Sequence, residues 1–387
     1  MEIAFFGTTA YFMDSLVLDF SSLWWYAPVI ALGACVGSFL NVVIYRLPLG
    51  LSVNQPKRSF CPLCRQHIAW WHNIPLLSWL LLRGRCASCA APIPFRYWLV
   101  EILTALLFAA CWHQHSATAA PILFLFISLL VAITFIDAEH QIIPLVLTTL
   151  GSVAALAYSC FHSDLLHLAE PPIESTTWWQ GLRDSALGWV LGFFGLWSVV
   201  LLGKLAFGKK VISFPEATAW EVVDAATDED PMLFRCDGDE IPWYDLFYRK
   251  SDRLILECGE ILVDRIPHGA GTLTIHAEKI SLPDGTSLSL EKIKSLSGTT
   301  TRATIPREAM GMGDPHLLAV VGAMFGGPAV LFTISASAFY ALGAAVLGRI
   351  GFGKPLPFGP FLALGALTWL FGGWHLWQAY TAWVQGY

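Results

Sequence analysis

The chain has 387 residues, 55% of them hydrophobic and 13% charged, with 17 tryptophans and a mean hydropathy of +0.57. No single globular core could hide that much apolar surface, which excludes a wholly soluble enzyme; a formal charge of -6 without a long basic run excludes a nucleic-acid binder. The expected fold is an all-α polytopic membrane protein whose main solvent is the bilayer.

The first twenty residues lack a basic start and carry Asp14 and Asp19 close to the first apolar run, so that run is expected to be a retained span and not a cleavable signal. Runs approaching the length that crosses hydrocarbon, about 20 residues, fall at 23–45, 97–116, 119–136, 143–162, 185–207, 328–348 and 358–382. The stretch 316–327 is read either as an eighth, abbreviated crossing or as part of a helical hairpin, so seven or eight transmembrane helices are expected. The expected organisation is an N-terminal segment and first span (1–45), a cytoplasmic loop (46–96), spans to 208, a polar insert (209–303), and C-terminal spans (304–387).

Basic residues collect in cytoplasmic loops. With the amino terminus outside, Arg46, Lys57, Arg58, Arg65, Arg83, Arg85 and Arg96 fall inside, as do Lys204, Lys209, Lys210, Arg349 and Lys354, whereas the outer segments offer only Arg183. The insert holds most of the charge: residues 209–310 carry 18 of the 29 acidic and 12 of the 23 basic side chains. Its alternating stretches RLILECGEILV and GTLTIHAEKISL, with turn signals at Asp237-Gly238 and Asp284-Gly285, predict a small, mainly β cytoplasmic module. Such a module could fill a permissive loop, bind other machinery or regulate access to the membrane part.

Four of the nine cysteines form two C-x2-C knuckles, Cys61/Cys64 and Cys86/Cys89, separated by 21 residues. That spacing suits tetrahedral thiolate coordination of structural zinc, and a reducing cytoplasm argues against disulfides. Four sulfurs close the shell and leave no position for an activated water, so the metal is expected to brace the loop. His67 and His72 are read as loop residues, and Cys35, Cys111, Cys160, Cys236 and Cys258 as small hydrophobes. Between the knuckles, AWWHNIPLLSWLLLRG is apolar, short and interrupted by Pro75, which suits a strip lying against the membrane.

Asp137 ends a span in FIDAEHQIIP, and Asp314 opens one in GMGDPHLL. Each has an ordinary explanation: the first as the residue that reaches water, the second as a helix N-cap. Two spans separate them, however, so both return to one face of the membrane. Two carboxylates within a few ångströms share one proton, the arrangement of an aspartic protease: one takes a proton from the attacking water while the other polarises the scissile carbonyl.

Together these residues resemble the prepilin peptidase family, the type IV prepilin leader peptidases. The resemblance is carried by GSFLNVVIYRLP (37–48), the paired knuckles, NIPLLSWLLLRGRC (73–86), IDAEHQIIP (136–144), GMGDPHLLAVVGAMFG (311–326) and PFGPFLALG (357–365). It implies that Asp137 and Asp314 are the catalytic pair, that substrates are type IV prepilin or pseudopilin precursors cut after a glycine before a long apolar helix, that secretion or pilus-assembly machinery is a partner, and that the site faces the cytoplasm of a bacterial inner membrane. Many relatives also methylate the freed amino terminus with S-adenosylmethionine, a capacity associated with the cysteine loop. All four cysteines are present here, which leaves that second activity open.

The chain departs from the family pattern after Gly-Asp, where Pro315 and His316 stand in place of an aromatic or small residue and a lysine, and at Leu145, where relatives often carry an acid or amide. In the first motif, Arg46 is expected to serve positive-inside anchoring or to meet a substrate carboxylate or the methyl donor, and Asn41 to serve helix packing or catalysis. Two other readings remain at this stage: a GxGD intramembrane protease with other single-span substrates, and a non-enzymatic, zinc-stabilised scaffold or transporter subunit whose acids carry protons.

Overall fold

A computed structural model describes residues 23–55, 59–61, 63–169, 177–207, 209–223, 232–247, 252–306, 311–348 and 356–386. The expectations for Asp14, Asp19, Lys57, Arg58, Arg349 and Lys354 lie outside the described residues. The chain divides into two compact units, one of Met1–Trp197 with Met312–Tyr387 and one of Ser198–Gly311.

The first unit is helical. Its elements are α1 (Leu23–Arg46), a 3-10 turn (Trp70–His72), α2 (Leu77–Leu81), α3 (Phe95–Gln114), α4 (Ala120–His140), α5 (Leu145–Ser159), α6 (Trp178–Phe207, whose last residues enter the other unit), α8 (Gly313–Leu347) and α9 (Gly359–Thr368). A π-turn (Trp369–Gly373) then leads into α10 (Trp374–Gln385). Among the described residues, five helices are long and apolar enough to cross a membrane: Trp24–Arg46, Phe95–Gln114, Ala120–His140, Trp178–Gly203 and Gly313–Leu347. α5 has only 15 residues, and the expected final span is broken at Phe371 and Gly372, where the backbone leaves helical angles. Large apolar side chains such as Trp24, Leu106, Phe339 and Leu342 are exposed on this unit, as helices facing lipid tails require. The chain is a multi-pass membrane protein.

In lipid the hydrophobic effect does not press helices together, so close backbone approach has to hold them. α1 does this through Gly33 and Gly37, spaced as in G-x-x-x-G: an added Cβ would lie 2.7 Å from the Cα of Ala105 and of Glu101 respectively. α6 does the same against α8. A Cβ on Gly188 would sit 2.0 Å from the Gly322 carbonyl, one on Gly322 would sit 2.0 Å from the Gly188 carbonyl, and Ser185 Oγ donates to Ala323 O at 2.7 Å.

The stretch 316–327 proves to be the first arm of α8, continuous with the span expected at 328–348 but bent away from it. Gly326 has φ 78° and ψ -174°, a conformation open to glycine, and Pro328 removes the next helical donor. Eight residues of straight helix rise about 12 Å. Yet a Cβ on Gly322 would lie 2.9 Å from Val330 Cγ2, so the chain folds back sharply here.

The second unit is built on a nine-stranded antiparallel sheet. Its strands are β1 (Lys209–Val223), β2 (Leu233–Cys236), β3 (Asp239–Pro242), β4 (Leu254–Val263), β5 (Ile266–Pro267), β6 (Gly271–Ile275), β7 (Lys279–Ser281), β8 (Ser287–Ser289) and β9 (Leu296–Pro306), and one helical turn, α7 (Trp243–Leu246), follows β3. The order is β3-β2-β1-β9-β4-β6-β7-β8, with β5 paired to β4. Trp220, Phe234, Leu254, Leu256, Ile261, Leu273 and Ile275 form its core. Asp237 and Gly238, both at positive φ, make the two-residue turn between β2 and β3. At the second turn signal, Asp284 Oδ1 accepts the Thr286 N–H at 2.8 Å. β4 alternates buried and open positions until its register shifts on both sides of Cys258, where the alternation breaks.

Candidate active site

Asp137 lies on the last turns of α4 and does not mark the first contact with water. It is 5% exposed, and its Oδ2 accepts the Gly359 N–H, the first of α9, at 2.9 Å. α4 stops just beyond, where Gln141 adopts a left-handed conformation and its N–H returns to Asp137 O. Asp314 is the second residue of α8 and 6% exposed. It is not the N-cap: Met312 holds that place and makes no side-chain capping bond.

Ile143 joins the pieces. A Cβ on Gly313 would lie 2.5 Å from Ile143 Cβ, and one on Gly359 would lie 3.2 Å from Ile143 Cδ1 and 2.7 Å from Asp137 Oδ2. The GMGD, IDAEHQIIP and PFGP motifs thus converge on one residue, with glycine wherever a side chain would intrude. This also fixes the path of α8, because residues 313 and 359 sit at the same place and the chain between them must go out and come back. The fold at Gly326 supplies the return. Neither Gly359 nor Ile143 was singled out by sequence reasoning, although PFGP was noted as a motif; what it lacked was any sign that a backbone N–H is the working group.

His316 turns its ring onto Phe193, with centroids 4.9 Å apart, and Leu145 is exposed. Two residues beyond Asp137, Glu139 forms an ion pair with Arg96 at the start of α3, tying that helix to the chain that follows the cysteine loop.

The four cysteines come together as their spacing predicts. The sulfurs of Cys61, Cys64, Cys86 and Cys89 all lie within 4.8 Å of one another, with Cys61 and Cys89 at 3.9 Å. The two knuckles repeat one backbone design. Arg65 N–H returns to Cys61 O at 2.8 Å and Ala90 N–H to Cys86 O at 2.9 Å, while Arg65 and Ala90 take left-handed φ of 56° and 57°. The Cys86 thiol is brought down to about 6, chiefly by the backbone N–H of Cys89 and then that of Ser88, while against the Ala91 N–H, desolvation and the neighbouring sulfurs push the Cys89 thiol up to about 11, so the first thiolate of the cluster sits on Cys86. The cluster could hold a metal ion.

Arg46, 6% exposed, gives its guanidinium to the carbonyls of Ser52 and Val53 at 3.2 and 3.1 Å and so shapes the start of the loop. Asn41 donates to Tyr97 O at 2.9 Å, bonding α1 to α3. The strip between the knuckles carries Trp70, Trp71, Leu77, Leu80 and Leu81 exposed, an apolar surface on short helical pieces.

Residues 31–115 match the family model described as the bacterial peptidase A24 N-terminal domain. The chain is 44% identical over 183 residues to a prepilin leader peptidase/N-methyltransferase of Myxococcus xanthus, an alignment covering 47% of this chain and 50% of that protein. It is 37% identical over 212 residues to the protein of the same name from Pseudomonas aeruginosa (48% and 67%), and 36% identical over 190 residues to that of Klebsiella pneumoniae (47% and 76%). The chain therefore spans only about half the length of the Myxococcus relative. No solved structure matches. With more than a third of residues identical across three quarters of the Klebsiella protein, and with two buried aspartates and a four-cysteine loop in place, the chain belongs to the prepilin leader peptidase/N-methyltransferase family.

Proposed function

We propose that the chain is a membrane aspartic endopeptidase that removes the leader of type IV prepilin-like precursors, with Asp137 and Asp314 as its catalytic pair. The observation that carries this reading is the convergence of both aspartates' motifs on Ile143. Both carboxylates are withdrawn from water, and one of them is held in place by the Gly359 N–H. Sharing one proton, the pair acts without a covalent intermediate. The ionised carboxylate takes a proton from water as the oxygen attacks the scissile carbonyl, and the protonated one polarises that carbonyl and then protonates the leaving amine. A site at the ends of apolar helices suits a precursor that is itself anchored in the bilayer.

The reading places the site on the cytoplasmic side of a bacterial inner membrane, following the distribution of basic residues. It counts eight crossings, with the two arms of α8 on either side of Gly326 taken separately, which returns Gly359 to the face that holds Asp137. Secretion or pilus-assembly machinery is the expected recipient of the product.

The four cysteines fit structural zinc. Tetrahedral coordination at about 2.3 Å puts the sulfurs about 3.8 Å apart, close to the 3.9 Å between Cys61 and Cys89. Zinc so held would brace residues 59–93 and take no part in hydrolysis. N-methylation of the new amino terminus is the second activity, suggested by the relatives' name. Purified protein incubated with a pilin precursor and S-adenosylmethionine, with the product amino terminus weighed by mass spectrometry, tests both. Shortened, methylated product is expected; precursor left intact by the wild-type protein would overturn the peptidase reading.

A further inference from the structure

The segment between the two cysteine knuckles packs down along the membrane helices. Glu101 Oε2 accepts the Leu76 N–H at 2.7 Å. Glu101 stands six residues into α3, and a Cβ on Gly37, nine residues before the end of α1, would lie 2.7 Å from the Glu101 Cα. At 1.5 Å per residue, Leu76 therefore sits roughly 9 to 14 Å inside the ends of both helices. Each of the two is long and apolar enough to cross a membrane.

Backbone at such a depth finds no water, so protein has to meet its donors. Pro75 and Leu76 make the turn, with Leu76 at a φ of 64°, a left-handed conformation uncommon for leucine that the Glu101 bond holds in place. The N–H groups of Asn73, Leu77, Ser78, Leu82 and Gly84 go to the carbonyls of Trp70, Pro75, Ile74, Ser78 and Trp79 at 2.7 to 3.1 Å, and Ser78 Oγ donates to Trp71 O at 3.1 Å. The Trp79 indole N–H donates to Ile93 O at 3.3 Å.

The side chains of α2 divide between two faces. Ser78 is buried, and Trp79 turns inward onto Phe95 and Trp98, with ring centroids 5.7 and 6.0 Å apart. On this inner side Ile74, Ser78, Trp79 and Leu82 line a cavity of about 460 Å3. Leu77, Leu80 and Leu81, spaced i, i+3, i+4, share the other face, and all three are exposed, Leu81 by 80%. Single exposed leucines are ordinary, but three on one face form a patch that is costly in water and costless in hydrocarbon. Trp70 and Trp71, exposed at the start of the segment, suit the headgroup level.

We propose that residues 70–82 are a re-entrant membrane segment whose α2 leucines face the acyl chains of the bilayer. Lipid is the occupant because the leucines lie beside Leu76, at the depth of mid-leaflet positions on α1 and α3, where the surroundings of a membrane helix are hydrocarbon. This is deeper than the surface strip expected from composition. The loop that carries the four cysteines thus has its knuckles at the ends of a membrane element, and the bilayer comes within one layer of side chains of the cavity. The proposal requires only that α1 and α3 cross the membrane, so it stands or falls apart from the peptidase reading.

The test uses the full chain in nanodiscs, with p-acetylphenylalanine coupled to a nitroxide in place of Leu77 or Leu81. Exposed Leu106 of α3 is the lipid control and exposed Ile266 of the β module the water control; zinc content and thermal melting of each variant verify the fold. Collision with dissolved oxygen, relative to a water-soluble nickel chelate, is expected to be several-fold higher at 77 and 81 than at 266, and to match 106. A ratio like that at 266 would place the segment in water, and labels shielded from both reagents would show that protein or a second copy covers the face; either result overturns the proposal. With no substitution at all, a diazirine-bearing phosphatidylcholine in the same discs is expected to tag residues 77–82 as well as α3. Tagging of α3 without 77–82 would equally overturn it.

Discussion

Replacing Gly359 with alanine tests the site without touching either acid. The added Cβ would stand 2.7 Å from Asp137 Oδ2 and 3.1 Å from its Cγ, whereas ordinary contact begins at 3.4 Å. The carboxylate must therefore retreat by about 0.7 Å, and its 2.9 Å bond from the Gly359 N–H is lost or bent. Misplacing a reacting group by about 1 Å costs about 100-fold, so Gly359→Ala is expected to lower kcat for precursor cleavage by about 10- to 100-fold while KM changes little. The helix should survive, because alanine is the better helix former by about 1 kcal/mol. Gly343→Ala is the matched control, since nothing lies within 4 Å of a Cβ there. Initial rates on a purified pilin precursor at several concentrations decide the question: a Gly359→Ala protein within twofold of wild type, with Gly343→Ala also normal, would refute the placement of Asp137 against α9.

Cys61→Ser or Cys89→Ser should release zinc and loosen residues 59–93; equal metal in variant and wild type by elemental analysis would defeat the four-sulfur site. Replacing residues 211–300 by a short linker should leave the spans inserted and folded, because Lys209 and Lys210 pair with Pro306 and Ile305 across β1 and β9, so the retained ends stay side by side and the linker has only the remaining few residues of β9 to span; failure to accumulate in the membrane would contradict it. Phe234→Ala removes a fully buried ring from the β-module core and should cost about 3–5 kcal/mol there, read as faster proteolysis within 209–306 with spans unaffected; equal protease resistance would count against that core. Gly188→Val should destabilise the membrane unit severely, since a Cβ already meets the Gly322 carbonyl at 2.0 Å; an unchanged thermal melt in detergent would dispose of the close contact between α6 and α8.

Much of this was legible in sequence because the physics is local or periodic. Apolar length marks spans, the C-x2-C spacing alone brings four sulfurs together, and Asp-Gly at 237–238 fixes a hairpin turn. What stayed hidden depends on contacts between distant segments. The boundary between 327 and 328 reads in the sequence as a short crossing or a hairpin without a choice between them; the left-handed φ of Gly326 and the sharp return show only once Gly322 packs on Val330. β1 carries Pro215 and a register shift between Ser213 and Thr218, so the longest strand of the module lacks the alternation that revealed β4. GTLTIHAEKISL contains the strands β6 and β7, separated by a turn that alternation alone does not announce. The ordinary explanation for Asp137 fails for a similar reason, since burial at the end of a span comes from the partner that covers it, here the first turn of α9; that for Asp314 fails because the helix starts one residue earlier, with Met312 at the cap.

The most direct test of the catalytic pair compares Asp137→Asn, Asp314→Asn and the double variant in detergent-purified form, following precursor cleavage by mass spectrometry. Groups that work as one unit lose their effect together, so each single variant should be as inactive as the double one while retaining wild-type zinc and melting temperature. Measurable processing by either single variant, with the double variant slower still, would show that the two carboxylates do not act as a pair.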